Sequence, residues 1–368
     1  MTSPTEGGLT SRPTDAVTSP EQVATPGPSS LLDSISEFRA NFNAAATQVG
    51  VVQRELLLAD RPIRLQFAGP ALVGVTAPAF DHLIESHQRA ADLTVCVWDA
   101  ASTGVPPLRL PPGVLHRGDT GPRYHAEDGG IMVHAADGTL SVIDRTRQTA
   151  LHYFPDPSDV PWYQRATPLK DIVQAWTRSN ELQLIHAGAV GNHDGGVLIA
   201  GVAGSGKSTT SLACLHGGLA FAGDDYVLVD VERAFVHSLY SSAKLEWDNL
   251  DQHPDLFQPA NSRADAKALA FLARDAPERI AGGYPLRALL LPTITGREET
   301  RAVPTTAARA LLGLAPSTML QMPGNDQASL GAMTRLVRRI PAFRLELGTD
   351  LTAIPGVVEA VLTDVKGQ

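Results

Sequence analysis

Gly201-Val202-Ala203-Gly204-Ser205-Gly206-Lys207-Ser208 fits the pattern G-x-x-x-x-G-K-[ST] in full. Glycines at these places let the backbone curl so that successive N–H groups point inward at phosphate oxygens. Lys207 can then reach the β- and γ-phosphates, and the Ser208 hydroxyl is placed for Mg²⁺, with Thr209 completing the stretch. The flanks agree with such a loop. Val197-Leu198-Ile199-Ala200 reads as a strand before it, and a helix is expected from about Lys207 to His216, stopped by Gly217-Gly218. The helix adds its positive N-terminal end to the amides of the loop. Residues Gly201 to Thr209 are therefore read as a nucleotide-phosphate cradle, with ATP and Mg²⁺ as the implied ligands.

Downstream, Leu219-Ala220-Phe221-Ala222-Gly223 reads as a strand that ends in Asp224-Asp225, only 18 residues after Lys207. One helix and one strand fill that spacing, so the acidic pair emerges beside the phosphates. One carboxylate would help hold Mg²⁺ and the other accept a proton from an attacking hydroxyl. Taken alone, such a pair is more often a solvated turn; the upstream loop reverses the odds. Before the loop, a strand from Leu182 to Val190 reaches Val197 through the short turn Asn192-His193-Asp194-Gly195-Gly196. A connection that short requires an antiparallel neighbour, unlike the doubly wound parallel arrangement. His186 lies within that strand, as a core histidine or as a neighbour of the phosphates.

The whole chain has 368 residues, 43% hydrophobic and 19% charged, and a net charge of −9. That length holds two ordinary domains with real cores. The acidic balance argues against nucleic acid or an anionic membrane as partner. Cys96 and Cys214 are the only cysteines, each inside an apolar run, and are expected as buried free thiols in a cytoplasmic protein. No run reaches the length of a membrane span.

Residues 1–30, with 16 Pro, Ser or Thr, read as a disordered tail. Residues 31–160 read as a mostly β N-terminal domain. Helical spacing of Leu31, Leu32, Ile35, Phe38 and Phe42 suggests an amphipathic helix within 31–58. Strands follow at Ile63–Phe67 and Leu93–Trp98, then a meander through Ile131–Val133, Leu140–Ile143 and Ala150–Phe154. Trp162 to Asn180 reads as a connecting helix. Residues 161–368 read as an α/β (α+β) catalytic domain, with later strands at Leu286–Leu291 and Phe343–Leu347. Its later helices are expected near 264–274, 305–313, 326–338 and 353–363.

Ile185-His186-Ala187-Gly188, Gly196-Val197-Leu198-Ile199, the glycine loop and Ala222-Gly223-Asp224-Asp225 together resemble the catalytic core of the HPr kinase/phosphorylase family. The resemblance is close over 182–232. It implies the fold shared with phosphoenolpyruvate carboxykinases, an ATP- and Mg²⁺-dependent serine kinase, and assembly as a homo-oligomer. It makes Asp225 the base, with His186 and Lys207 beside it, and sets Asp224 and Ser208 near the metal. The chain departs from that family after the acidic strand. The Leu-Glu-Ile-Arg-Gly-type segment is replaced by Ser238-Leu239-Tyr240-Ser241-Ser242-Ala243-Lys244-Leu245-Glu246, so phosphorolysis, and HPr itself as acceptor, are left open. Lys244, Glu246 and Arg287 are the candidates to complete the site.

Three functions follow from these residues. The first is a kinase acting on a serine of a peptide or protein. The second is a metabolite kinase on the same core, and the third a nucleotide-binding scaffold without transfer. The intact Lys207, Ser208 and Asp224-Asp225 set weighs against the scaffold.

Overall fold

Gly50 decides where the first helix stops. In the computed structural model its φ is +79°, and its amide closes on the Ala46 carbonyl at 2.9 Å, a left-handed C-terminal cap that glycine adopts at little cost. The helix therefore spans Pro28–Val49, and Val51–Leu58 forms strand β1 instead of continuing the helix expected within 31–58. The structure describes residues 28–87, 89–106, 124–178, 180–252, 257–321 and 327–366. Residues 1–27 of the expected tail lie outside these, and 28–30 open the helix.

β1 folds back on β2 (Arg61–Ala68) through Ala59-Asp60, both at positive φ, the twist that suits a two-residue hairpin. β3 (Leu93–Asp99) lies parallel to β2 and to β7 (Thr149–Phe154). β4 (Tyr124–Asp128), β5 (Ile131–Ala136) and β6 (Thr139–Asp144) complete an antiparallel meander with β7. One face of this seven-stranded sheet takes Ile35, Phe38 and Phe42 from the first helix against Trp98 and Tyr153. Phe38 and Trp98 pack with ring centroids 4.4 Å apart and planes inclined at 58°.

The expected helix over Trp162–Asn180 is two pieces, Trp162–Ala166 and Lys170–Thr177. Pro168 disfavours helical backbone before it, and Leu169 sits at φ +57°. The strand expected from Leu182 to Val190 is likewise two: β8 (Leu182–Ile185) and β9 (Gly188–Asn192). β10 (Gly195–Ile199) pairs antiparallel with β9, as the short turn requires. Helix Lys207–His216 leads to β11 (Ala220–Gly223), β12 (Val227–Asp230), β13 (Phe235–His237) and β14 (Ser242–Leu245). Where a helix was expected over 264–274, β15 (Ala268–Phe271) pairs with β14, and only Leu272–Asp275 is helical. β16 (Gly283–Ile294), β17 (Arg301–Thr305) and β18 (Ala342–Leu347) finish the second sheet.

Its order is β11-β9-β10-β16-β13-β12-β8, with β18 beside β16 and β17 beside β18. Successive side chains alternate faces, so Leu198 and Leu289 pack against helices Ala307–Gln321 and Gln327–Arg339. Val197, Ile199, Ala288 and Leu290 pack against Lys207–His216 and Ile354–Lys366. The result is a mixed α/β fold. Cys96 and Cys214 are free and buried. Among the described residues no helix is long and apolar enough to cross a membrane. A cluster of buried side chains runs from the first sheet into the second half, joining Leu56, Val95 and Phe80 to Leu184, Tyr240 and Phe271.

Candidate active site

β8 and β9, and β11 and β12, are consecutive strands separated by short breaks, and each break carries a candidate site residue. β8 pairs with β12 up to Ile185↔Val227, and β9 pairs with β11 from Ala189↔Gly223. Between them His186 faces Asp225, with Nε2 3.0 Å from Oδ1. The His186 amide donates to Thr318 Oγ1 at 3.1 Å, and its ring lies 5.0 Å from that of Tyr226. The strand break thus fixes the imidazole from both sides.

Lys244, on β14, closes the group. Its Nζ donates to Asp225 Oδ2 at 2.5 Å, and its backbone N–H donates to Asp224 Oδ2 at 3.3 Å. Burial would raise the Asp225 pKa, but the Lys244 ammonium and the His186 hydrogen bond outweigh it and hold the carboxyl far below its usual range. Asp224 moves the other way. Burial, helped by the neighbouring Asp225 charge, pushes it up to about 6 against the pull of Lys244 and Ser208. Adjacent carboxylates with opposite shifts are suited to different tasks.

The glycine loop faces this pair. Gly204 and Gly206 have φ of +77° and +103°, and a Cβ on Gly206 would stand 2.4 Å from Leu347 Cδ1. Only glycine turns the chain there. Lys207 is buried, and its Nζ donates to the carbonyls of Gly201 at 2.9 Å and Val202 at 3.2 Å. Burial lowers its pKa, against the attraction of Asp225 and Asp224. The ammonium therefore lies across the mouth of the loop.

Asp224 Oδ1 is buried with no partner at hydrogen-bond distance, although the Ser208 hydroxyl is close enough to favour the ionised form. A lone carboxylate oxygen beside a hydroxyl suits Mg²⁺, which takes one or two carboxylates and completes its shell with water and substrate phosphates. Among the described residues no group of three or more His, Cys, Asp or Glu could hold a metal by itself. The donor set fits a metal that arrives with its phosphates.

These residues line one cleft of ≈ 460 Å³. It brings together His186, Ala203, Gly204, Gly206, Lys207, Ser208, Thr209 and Asp225. Gly201, Val202 and Ser205 complete the loop around them, and the buried Asp224 stands behind. Lys244 and Glu246 also line the cleft, the latter paired with Lys267 at 2.7 Å. Arg287 does not. It sits on β16 near the far end of the β9–β10 hairpin, where its Nε donates to the Asp194 carbonyl at 3.0 Å. A strand position next to an apolar run gave no sign of which end faces the loop.

Sequence reading missed the opposite wall. Trp162, Tyr163 and Lys170 come from the connecting segment, Lys267 from the residues before β15, and Gln321 from the end of a long helix. Lys170 Nζ lies 5.2 Å from the centre of the Tyr226 ring, whose hydroxyl donates to Gln321 Oε1 at 2.7 Å. The aromatic-basic spacing of Trp162, Tyr163 and Lys170 was the one available signal, and it is a weak one.

No known family model matches the chain, and no curated protein does. Among solved structures it is similar to the Hpr(Ser) kinase/phosphatase from Coxiella burnetii. The identity is 14% and the TM-score 0.25, over 50% of this chain and 95% of that one. That likeness is too slight to assign a function.

Proposed function

We propose that the protein is a Mg²⁺·ATP-dependent kinase of the HPr kinase-like type, transferring the γ-phosphate to a serine hydroxyl of a peptide or protein. The observation that carries this reading is the convergence of Lys207, Ser208, Asp225 and His186 on one cleft, with Asp224 against Ser208. In it the loop amides cradle the phosphates, and Lys207 leaves the Gly201 and Val202 carbonyls for the γ-phosphate. Ser208 and Asp224 would hold Mg²⁺, which neutralises charge on the phosphate oxygens.

Asp225 accepts the proton of the incoming hydroxyl. Lys244 and His186 keep it ionised at neutral pH, which leaves it ready but only weakly basic. A loose phosphoryl-transfer transition state asks for little more, since the nucleophile needs orienting before it needs deprotonating. In this reading residues 161–368 form the catalytic unit and 31–160 an accessory one.

The test is transfer of label from γ-labelled Mg²⁺·ATP into a lysate of the source cells, resolved into polypeptide and small-molecule fractions. Label is expected in polypeptide, falling about 10²–10⁴-fold with Asp225→Asn, the range removed with a general base. Label confined to small molecules would make it a metabolite kinase. ATP binding without transfer would leave the scaffold function.

A further inference from the structure

A second pocket, ≈ 310 Å³, opens beside the nucleotide cleft and shares Tyr163, Thr167, Lys170 and Gln321 with it. Its floor is the meander of the first sheet, which contributes His125, His134 and His152. Three imidazoles on one face are not what a sheet needs for stability. They also lie outside any cluster able to hold a metal, among the described residues.

The imidazoles differ in their surroundings. His152 Nδ1 is hydrogen-bonded to Ser141 Oγ at 2.8 Å, and its ring packs on Phe154. Burial lowers its pKa to about 4, and burial with the neighbouring His134 lowers that of His125. His134, its side chain 10% exposed, has Nε2 3.7 Å from Asp171 Oδ2 while its Nδ1 is buried with no partner. Gln164 Oε1, on the same pocket wall, is likewise buried and unpartnered. Buried polar atoms left without partners are costly unless something else satisfies them. The pocket thus offers hydrogen-bonding groups without partners, His134 Nδ1 and Gln164 Oε1, with Lys170 and Asp171 of opposite charge at its edge.

Leu320 stands on the rim, 85% exposed, one residue before Gln321. Next to a polar pocket it supplies an apolar contact. The volume lies at the small end of ligand pockets, about 300–1,000 Å³, and suits a side chain or two. A molecule with its hydroxyl at Asp225 and another part among the imidazoles must run past Lys170 and Gln321, which line both pockets. A peptide does this readily and a compact metabolite does not.

We propose that the imidazole pocket is the acceptor subsite, holding an uncharged polar residue of an extended peptide whose serine reaches Asp225. The assignment rests on the kinase reading above and adds where, and by what chemistry, the acceptor is chosen. His134 and Gln164 take its hydrogen bonds and Leu320 covers its neighbour.

The experiment uses the full chain, γ-labelled Mg²⁺·ATP and a positional-scanning mixture of short serine peptides. His134→Leu and Leu320→Asp are each expected to raise the peptide KM about tenfold, the size of one lost hydrogen bond or apolar contact, with nucleotide affinity held within about twofold. His134→Gln, which keeps a polar group in place, should recover most of the loss. Leu320 is on the surface, so its replacement does not endanger folding. If wild type phosphorylates the peptides and all three variants match it, the subsite is wrong and the kinase stands. If wild type labels none of the peptides while binding ATP, the subsite and the peptide-kinase reading fall together.

Discussion

The two walls of the cleft beside the glycine loop are built in opposite ways. The wall carrying the glycine loop comes from one stretch, His186 to Asp225, folded as strand, loop, helix and strand. The facing wall is gathered from Trp162 and Lys170, Lys244 and Lys267, and Gln321, pieces brought together only by the tertiary fold. In the proposed kinase, chemistry that needs fixed backbone amides and close charges falls to the first wall. Side chains whose exchange would change what is accepted fall to the second. The same contrast holds for charge: ionised pairs hold the glycine-loop wall, and the buried His152, its pKa lowered by burial, supports the region beyond the other.

Acid separates the two most sharply. Burial lowers both His152 and His82 to about 4, so the folded state binds fewer protons than the unfolded one between about pH 4 and 6.5. Stability is then lost as pH falls through that window, roughly 2–3 kcal/mol per imidazole by about pH 4.5. Asp225 behaves oppositely in mechanism, since its depressed pKa favours the charged pair with Lys244 as pH falls through that window. Urea unfolding at neutral and mildly acid pH, with wild type and His82→Gln, checks this. The variant should show the shallower dependence, and equal slopes would contradict it.

Lys207→Ala is the next step down. Removing a charge-assisted hydrogen bond of about 1.5–3 kcal/mol should weaken ATP binding by roughly 10- to 150-fold in equilibrium titration. The facing wall should not compensate, because its cations are committed to Asp225, Glu246 and the Tyr226 ring. Undiminished binding would mean that the local wall is not where the phosphates sit.

Smallest is Glu246→Gln. Its bridge to Lys267 joins side chains 58% and 44% exposed, and pairs of that kind are worth about 0–1 kcal/mol. Thermal unfolding should barely move. A large drop would show the gathered wall to be as tightly constrained as the contiguous one.

What was legible follows the same divide. The glycine loop, its helix, the antiparallel hairpin and Asp224-Asp225 were readable because each depends on neighbours within a few dozen residues. Boundaries failed where one residue overruled periodicity: Gly50 ended a helix, Leu169 broke another, and His186-Ala187 parted a strand that reads as continuous. β15 was read as helix because Ala268–Phe271 has no alternation to give it away; all four residues are buried. Lys244 was named but not its partner, and Arg287 was named at the wrong end of β16. No local pattern encodes which of several cations meets a carboxylate across the sheet.

The buried cluster shared by the two sheets has a consequence for dissection of the protein. Leu56, Phe80 and Val95 on one side and Leu184, Leu228, Tyr240, Leu269 and Phe271 on the other belong to the same packed interior. Tyr240 also anchors its hydroxyl to the Pro168 carbonyl at 2.9 Å, and the Ser241 amide donates to the Ala79 carbonyl. A chain severed at residue 160 would bare that interior, including the strand that leads to Lys244. The half after residue 160 is expected to show no separate melting transition, the two sheets unfolding as one cooperative unit in a thermal scan.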